Sequence, residues 1–289
     1  MSPPLVSVTI PTFNSAATLA KTLQSVANQT YHPIEIIVAD SFSKDSTAKI
    51  VTDFGGHLVL TKYKLLGARR EAFFSSSGKY SLLLDSDQIL RPNTVEKCVA
   101  AMDTFDMLML EEECYEVATW IQRLFETDRR MIYHIGNPQF DPIQGVMLPR
   151  FFKQDVLRSA FRRIPLYLSK QVNAHDHAII YLEASKTSNR VGLISKALYH
   201  QEPENFRRLW SKNFRVGRSL VYLLRSPYWG FAWSRTRLRH GRTDSQGGSS
   251  STMLLVLKSV PFFTGFVTEA ATTLARSMLA GDTHSALLK

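Results

Sequence analysis

Cysteine is nearly missing: Cys98 and Cys114 are the only two in 289 residues. So small a number in so long a chain excludes a disulfide-stapled scaffold. The opening stretch MSPPLVSVTI has neither a basic leader nor a long apolar segment, so no signal peptide is expected and a reducing, cytoplasmic setting follows. No glycine-rich phosphate loop follows the first strand-like run, which counts against a nucleotidylyltransferase. No internal repeat is evident. One stretch also lacks acid altogether: from Phe206 to Arg242 there are ten Lys or Arg and no Asp or Glu. That segment accounts for the whole formal excess of +10 and leaves the rest near neutral.

What is present fits a large α/β domain with an extension. Hydrophobic residues make up 44% of the chain, enough for a sizeable core. LVSVTIP is a β-type run ending at Pro11, and TFNSAATLAKTLQSVANQT has helical spacing through Leu19, Leu23 and Val26. IEIIVAD is a second strand, followed by a turn and a helix start at Asp45 or Ser46, where either residue suits a cap. HLVL is a third strand, and a helix over 68–77 leads through Gly78 into KYSLLLDSD. Strands alternating with helices predict a largely parallel sheet covered on both faces.

The stretch LLLDSDQIL carries three leucines straight into Asp85, Ser86 and Asp87. A buried strand ending there would put two carboxylates at the strand terminus, where open α/β sheets bind ligands. Just past a strand end they can converge on a divalent cation and a diphosphate. By itself the motif also fits a solvated acidic turn.

Four ordered stretches resemble glycosyltransferase family 2, the inverting nucleotide-sugar enzymes of GT-A fold: VSVTIPTFNSAATLAKTLQSVANQT, IEIIVADSFSKDST, GARREAFFSSSGKYSLLLDSD and GVMLPRFF. The resemblance covers about residues 5–200. It implies a Rossmann-like, mainly parallel mixed sheet between helices. It implies a nucleoside-diphosphate sugar donor, GDP- or UDP-linked, and a divalent metal, Mg2+ or Mn2+. Pro11, Thr12, Phe13, Asn14 and Asp40 would hold the nucleoside, with Asp40 on the base or ribose. Arg69, with Arg70 beside it, would help hold the donor. Asp85, Ser86 and Asp87 match the metal and diphosphate motif, Asp87 being the more direct ligand.

The family's general base is usually the aspartate of a Glu-Asp pair. Here the matching stretch is VNAHDHAIIYLEASK, so the role falls to Asp176, flanked by His175 and His177, with histidine replacing the glutamate. An N-cap is the structural alternative for Asp176. Arg150 in LPRFF would hold a phosphate or form a structural ion pair. His200 lies where some GT-A enzymes place a histidine near the metal or diphosphate, though a lone histidine is often structural. Glu111, Glu112 and Glu113 could face the acceptor site, but read more simply as a solvated acidic cluster.

The basic segment has its own pattern. Phe206, Leu209, Trp210, Asn213, Gly217, Val221 and Leu224 recur at helical spacing, with Arg207, Arg208, Lys212, Arg215 and Arg218 on other faces. SPYWGFAWSRTRLRHGR then adds Trp229 and Trp233 among arginines, a composition suited to an anionic membrane surface. A linker near 243–251 leads to TMLLVLKSVPFFTGFVTEAATTLARSML, interrupted by Lys258, Pro261 and Glu269. Those interruptions favour in-plane or re-entrant helices over a bilayer span. An ordinary helix packed on the domain, or a contact between copies in a homo-oligomer, is the alternative. Nucleic-acid binding finds no recognisable module.

The expectation is a GT-A domain at 1–203 and a helical, membrane-associating extension at 204–289. It would transfer a sugar to a lipid-linked or glycan acceptor, from a peripheral or in-plane position on the cytoplasmic face of the cell membrane. The alternatives are the nucleotidylyltransferase and a non-catalytic binding module.

Overall fold

The chain opens as β1 (Val6–Thr12), α1 (Ala16–Ala27), β2 (Ile34–Asp40), α2 (Thr47–Asp53), β3 (His57–Leu60), α3 (Leu65–Phe74) and β4 (Tyr80–Leu83). It continues as β5 (Gln88–Leu90), α4 (Thr94–Ala101), β6 (Met107–Cys114), α5 (Trp120–His134), β7 (Pro149–Lys153), α6 (Gln154–Arg163), α7 (Leu166–Ser169), α8 (Asp176–Ser185) and β8 (Val191–His200). Two long helices follow, α9 (Phe206–Leu223) and α10 (Ser249–Leu279). The computed structural model describes residues 2–134, 140–142, 147–224, 226–232, 234 and 249–279.

Among the described residues the strands form one mixed sheet in the order β3-β2-β1-β4-β7-β6-β8-β5. The first four strands pair in parallel, as the early alternation predicts, and antiparallel β7 joins them to the parallel pair β6 and β8. Helix α3 begins and ends three residues earlier than expected. The Lys64 and Leu66 amides, which donate to Ser169 and Val172 carbonyls, fix its start. Its end is drawn off by serines: Ser76 Oγ donates to the Phe73 carbonyl at 2.6 Å and the Ser77 amide to Glu35 at 2.7 Å, alternatives to continuing the helix.

Period-two alternation sends neighbouring strand residues to opposite faces. Val8, Ile10, Leu82, Leu108 and Phe151 pack with Leu19, Leu23 and Val95 beneath α1 and α4. Leu83, Met107, Met109 and Phe152 pack with Phe73, Leu157, Phe161 and Ile180 beneath α3, α6 and α8. Each fully buried leucine contributes roughly 1.5–3 kcal/mol, so both layers press the β4 end into a fixed position.

The C-terminal helices are also protein-packed. Leu220 and Leu223 of α9, with Tyr228 and Ala232, join the α3, α6 and α8 side of the core. Gly217 of α9 meets the backbone at Phe262 of α10, and Gly265 of α10 meets the backbone at Phe214, so the two helices cross at reciprocal glycines that leave no room for a Cβ. Of the stripe read in α9, Leu209, Gly217 and Val221 are buried in the protein while Phe206 stays exposed, and Trp229 is partly buried against the core. Trp233 and most of the expected 243–251 linker lie outside the described residues.

Candidate active site

The β4 strand runs out at Leu83, buried Leu84 follows, and Asp85, Ser86 and Asp87 make the turn into β5. Gln88 staples that turn: its Oε1 accepts from the Asp85 amide at 2.9 Å and its Nε2 donates to Glu112 at 3.1 Å. Ser86 Oγ meets Ser15 Oγ at 3.1 Å, and its carbonyl accepts from Thr22 at 3.0 Å, tying the turn to the start of α1. The Gln201 amide donates to the Asp87 carbonyl at 2.8 Å from the far side.

From this turn an alternating series of charges runs across the sheet ends. Arg69 on α3, only 1% exposed, donates to both Asp85 and Asp176. Arg150 on β7 donates from Nη1 to Asp85 at 3.0 Å and from Nε to Glu112 on β6 at 2.8 Å. Arg129 on α5 joins Glu112, at 2.7 Å, to Glu202. His200, at the end of β8, places Nδ1 3.3 Å from Glu202 and Nε2 3.7 Å from Asp87. The first of these is a close contact without hydrogen-bond alignment.

The electrostatics follow from this pairing. Burial opposes ionisation of Asp85, but Arg69 and Arg150 outweigh it and hold its carboxyl well below the usual range. Burial likewise works against Asp176, and Arg69 overcomes it, so this carboxyl is held ionised. Burial opposes ionisation of Glu112 and Glu202 too, yet Arg150 and Arg129 around the first, and His200 and Arg129 around the second, draw each down to about 2. Burial, reinforced by Arg69 and Arg150, pushes the His177 imidazole down, and its Nε2 accepts from Arg150 at 2.8 Å. Four carboxylates (Asp85, Glu112, Asp176, Glu202) are linked to three guanidiniums (Arg69, Arg129, Arg150), and Asp87 joins the series only through His200. The surplus is acidic, an arrangement that suits a bound cation.

The loop after β1 is built separately. Asp40 is buried, accepting from Thr12 Oγ1 at 2.9 Å and from the Ser43 amide at 2.8 Å. Asn14, at a φ of 51°, accepts from the Lys44 amide at 2.9 Å, while its own amide donates to Ser43 at 2.7 Å. Asp45 accepts from the Thr47 amide and the Ala16 amide, both at 3.1 Å, and so ties down the starts of α2 and α1 as a capping residue. Two aromatic rings are left outside this tight mesh: Phe13 is 55% exposed and Phe42 57%.

Of the expected site residues, Arg69, Asp85, Asp87, Arg150, Asp176 and His200 join one network, while Pro11, Thr12, Phe13, Asn14 and Asp40 lie in or beside the loop after β1. Pro11 and Thr12 are buried in β1, and only Phe13 and Asn14 lie exposed beyond it. Asp40 is turned inward to shape the β2–α2 loop, because loop hydroxyls and amides reach it first. Arg69 is sealed between two carboxylates, and both oxygens of Asp85 are taken by guanidiniums, which leaves Asp87 as the accessible carboxylate at the turn, with buried His200 beside it. Arg150 is held by Asp85, Glu112 and His177. Among the described residues no cluster of three or more His, Cys, Asp or Glu is poised as a metal cage.

The glutamate run is not a solvated cluster either. Glu112 is buried in the network, Glu111 accepts from the Lys196 amide at 2.7 Å, and Glu113 pairs with Arg91. Its signal was in the sequence: Glu112 continues the even-numbered buried series of Leu108 and Leu110. Arg129, Glu202 and Phe42 carried no comparable signal.

Residues 7–145 match the family model described as Glycosyl transferase family 2. A UDP-Glc:alpha-D-GlcNAc-diphosphoundecaprenol beta-1,3-glucosyltransferase of Escherichia coli is 34% identical over 103 residues, 34% of this chain and 41% of that protein. The Escherichia coli chondroitin synthase is 33% identical over 102 residues, 33% of this chain and 15% of that protein. The chain spans between 33% and 41% of the length of the first four curated relatives it matches. In fold, it superposes on a mannosyltransferase from Pyrobaculum calidifontis in complex with GDP-Man and Mn2+ with a TM-score of 0.54, at 16% identity over 98% of this chain and 89% of that one. S. aureus TarS 1-349 in complex with UDP-GlcNAc gives 0.53 at 15% identity, covering 96% of this chain and 93% of that one. The fold is GT-A, a mixed α/β sheet with flanking helices.

Proposed function

From a chain that belongs to glycosyltransferase family 2, we propose an inverting transfer of a sugar from a UDP- or GDP-linked donor to an acceptor hydroxyl or phosphate on a lipid-linked glycan. One observation carries the reading: Asp87 and His200 face each other at the sheet ends, on the same charge network as an ionised Asp176. Phe13 and Phe42 offer exposed rings beside the first βα loop, where the nucleoside would stack. Asp87 and His200 would hold a divalent cation together with the donor diphosphate, and the acidic surplus of the network fits that charge. When bound, such an ion would supply positive charge to offset that of the diphosphate leaving group.

Asp176 would accept the proton of the acceptor hydroxyl as the oxygen attacks the anomeric carbon and the nucleoside diphosphate leaves from the opposite side. Arg69 keeps this carboxylate ionised and aimed, so it positions the base and does not itself touch donor. Arg150 performs the same service for Asp85, and Asp85 in turn fixes Arg69. The lipid-linked acceptor and a place at the cytoplasmic membrane surface draw support from the Escherichia coli relative, whose name specifies a diphosphoundecaprenol-linked substrate. The division into a catalytic domain at 1–203 and an extension at 204–289 belongs to the same reading.

The test is product analysis with UDP- and GDP-sugars and Mn2+ or Mg2+. Released nucleoside diphosphate with an inverted anomeric centre supports transfer. Pyrophosphate release would point to nucleotidyl transfer, and binding without either product to a non-catalytic module.

A further inference from the structure

Helix α10 has two unlike faces. Leu254, Pro261, Gly265 and Glu269 are buried, toward α9 and α5. Met253, Val256, Val260, Phe263, Val267 and Leu274 are all exposed, at spacings of three, four or seven residues that place them on one outer stripe. The two charges that interrupt the apolar sequence both point inward. Glu269 is held by Arg218 and Tyr222 of α9, and Lys258 lies 3.6 Å from Asp128 and 4.4 Å from the Phe125 ring centroid, both on α5.

The outer threonines need no water. Thr264, Thr268 and Thr272 each donate their hydroxyl to the carbonyl four residues earlier, at 2.7 Å. A hydroxyl satisfied by its own helix can enter an apolar medium without an unmade hydrogen bond. Between Met253 and Leu274 the outer face therefore carries no charge and no unsatisfied hydroxyl among the groups described. Its margin is cationic: Arg218 is half exposed at the α9 seam, Arg215 lies one turn before it, and Arg276 is exposed near the end of α10.

We propose that this outer face of α10 is immersed, in plane, in the boundary between headgroups and acyl chains of an anionic bilayer, with Arg215, Arg218 and Arg276 on the phosphates. By length and hydropathy Thr252–Arg276 could cross a membrane. Crossing is opposed by α9, which is packed along α10 and would have to carry exposed Arg208, Arg215 and Arg218 through hydrocarbon. A second copy seated on the stripe would bring two cationic margins together, whereas anionic headgroups attract them. The inference deepens the membrane reading given above and rests on it for orientation, but not on the chemistry of transfer.

The experiment uses the full-length chain and vesicles of phosphatidylglycerol and phosphatidylcholine in equal parts, with phosphatidylcholine alone for comparison. Wild-type protein should sediment with the mixed vesicles, and salt should weaken binding but leave an apolar remainder. The double variant Val260→Glu/Val267→Glu should lose about tenfold or more of that remainder while keeping its circular dichroism and its Mn2+-dependent binding of UDP or GDP. As a second readout, a polarity-sensitive dye on Phe263→Cys should shift to the blue and be quenched by lipids labelled in the acyl chain. Undiminished vesicle binding by the double variant, or a dye that stays in water, overturns the proposal. So does a dimer that the double variant dissociates with vesicle binding intact, since the face then belongs to a second copy. Intact vesicle binding by a protein that takes neither UDP nor GDP would sink the transferase reading alone.

Discussion

Arg69 Nε donates to Asp176 Oδ2 across 107 residues of chain, and the pair is buried where the N-terminal parallel strands meet the first turn of α8. Removing the guanidinium would leave Asp85 and Asp176 buried without their shared partner. Arg69→Met should cost about 3–5 kcal/mol of stability, read by urea denaturation. A change within about 0.5 kcal/mol would mean that the pair is not buried in solution.

The conservative change at the other end separates structure from chemistry. Asp176→Asn keeps the shape and can still accept from Arg69, yet its amide cannot take up the acceptor proton. Donor binding should survive, measured by calorimetry, while transfer falls by about 100-fold or more. Transfer at the parent rate would assign the base elsewhere.

Asp87 is predicted to behave oppositely to Arg69. Its side chain is 31% exposed, and His200 is its contact at 3.7 Å, so Asp87→Ala should leave the melting temperature nearly unchanged. It should instead abolish the metal-dependent part of UDP or GDP binding, because the diphosphate charge loses its counterweight. Unaltered metal-dependent binding would take Asp87 out of the site.

Acid should loosen the network in a definite window. Glu112 and Glu202 move from an ordinary 4.5 down to about 2 on folding, so both are more acidic in the folded chain. Their contribution is fully present above about pH 4.5 and is lost as pH falls through about 2. Melting temperature followed from pH 6 to about 2 should fall steeply in wild type and less steeply in Glu112→Gln, whose side chain no longer titrates. Parallel curves would show that other carboxyls govern the acid limb.

At the α9–α10 crossing, any side chain on Gly217 meets the Phe262 carbonyl. Gly217→Ala should destabilise by about 1–3 kcal/mol through forced separation of the helices, whereas Gly230→Ala, where a Cβ meets open space, should be nearly neutral. Comparison of the two melting temperatures checks this.

Local rules account for what the sequence made legible. The apolar runs of β1, β2 and β4 and the caps near Asp45 depend on neighbours within a turn or a strand, and they were readable as such. The ionic partners were not, because the structural ion pair that Arg150 offered had no named acid, and Arg69 and Arg129 meet Asp176, Glu112 and Glu202 only through the fold. The α9 stripe misled for a related reason: an apolar helical face has the same pattern whether lipid or α10 covers it. Exposed Phe42 sits in a loop of serines and aspartates whose geometry comes from Asp40 and Ser43, not from its own periodicity.

The charge network is assembled from both halves of the chain. The family match ends at residue 145, and it includes Arg69, Asp85, Asp87, Glu112 and Arg129. Arg150, Asp176, His200 and Glu202 arrive afterwards. A nascent chain that has emerged only to the end of β6 holds Asp85 and Glu112 without Arg150, two carboxylates committed to burial and short of a counterion. The proposed site is complete only when β7, α8 and β8 are in place, so a fragment confined to the family-matching region lacks Arg150, Asp176, His200 and Glu202.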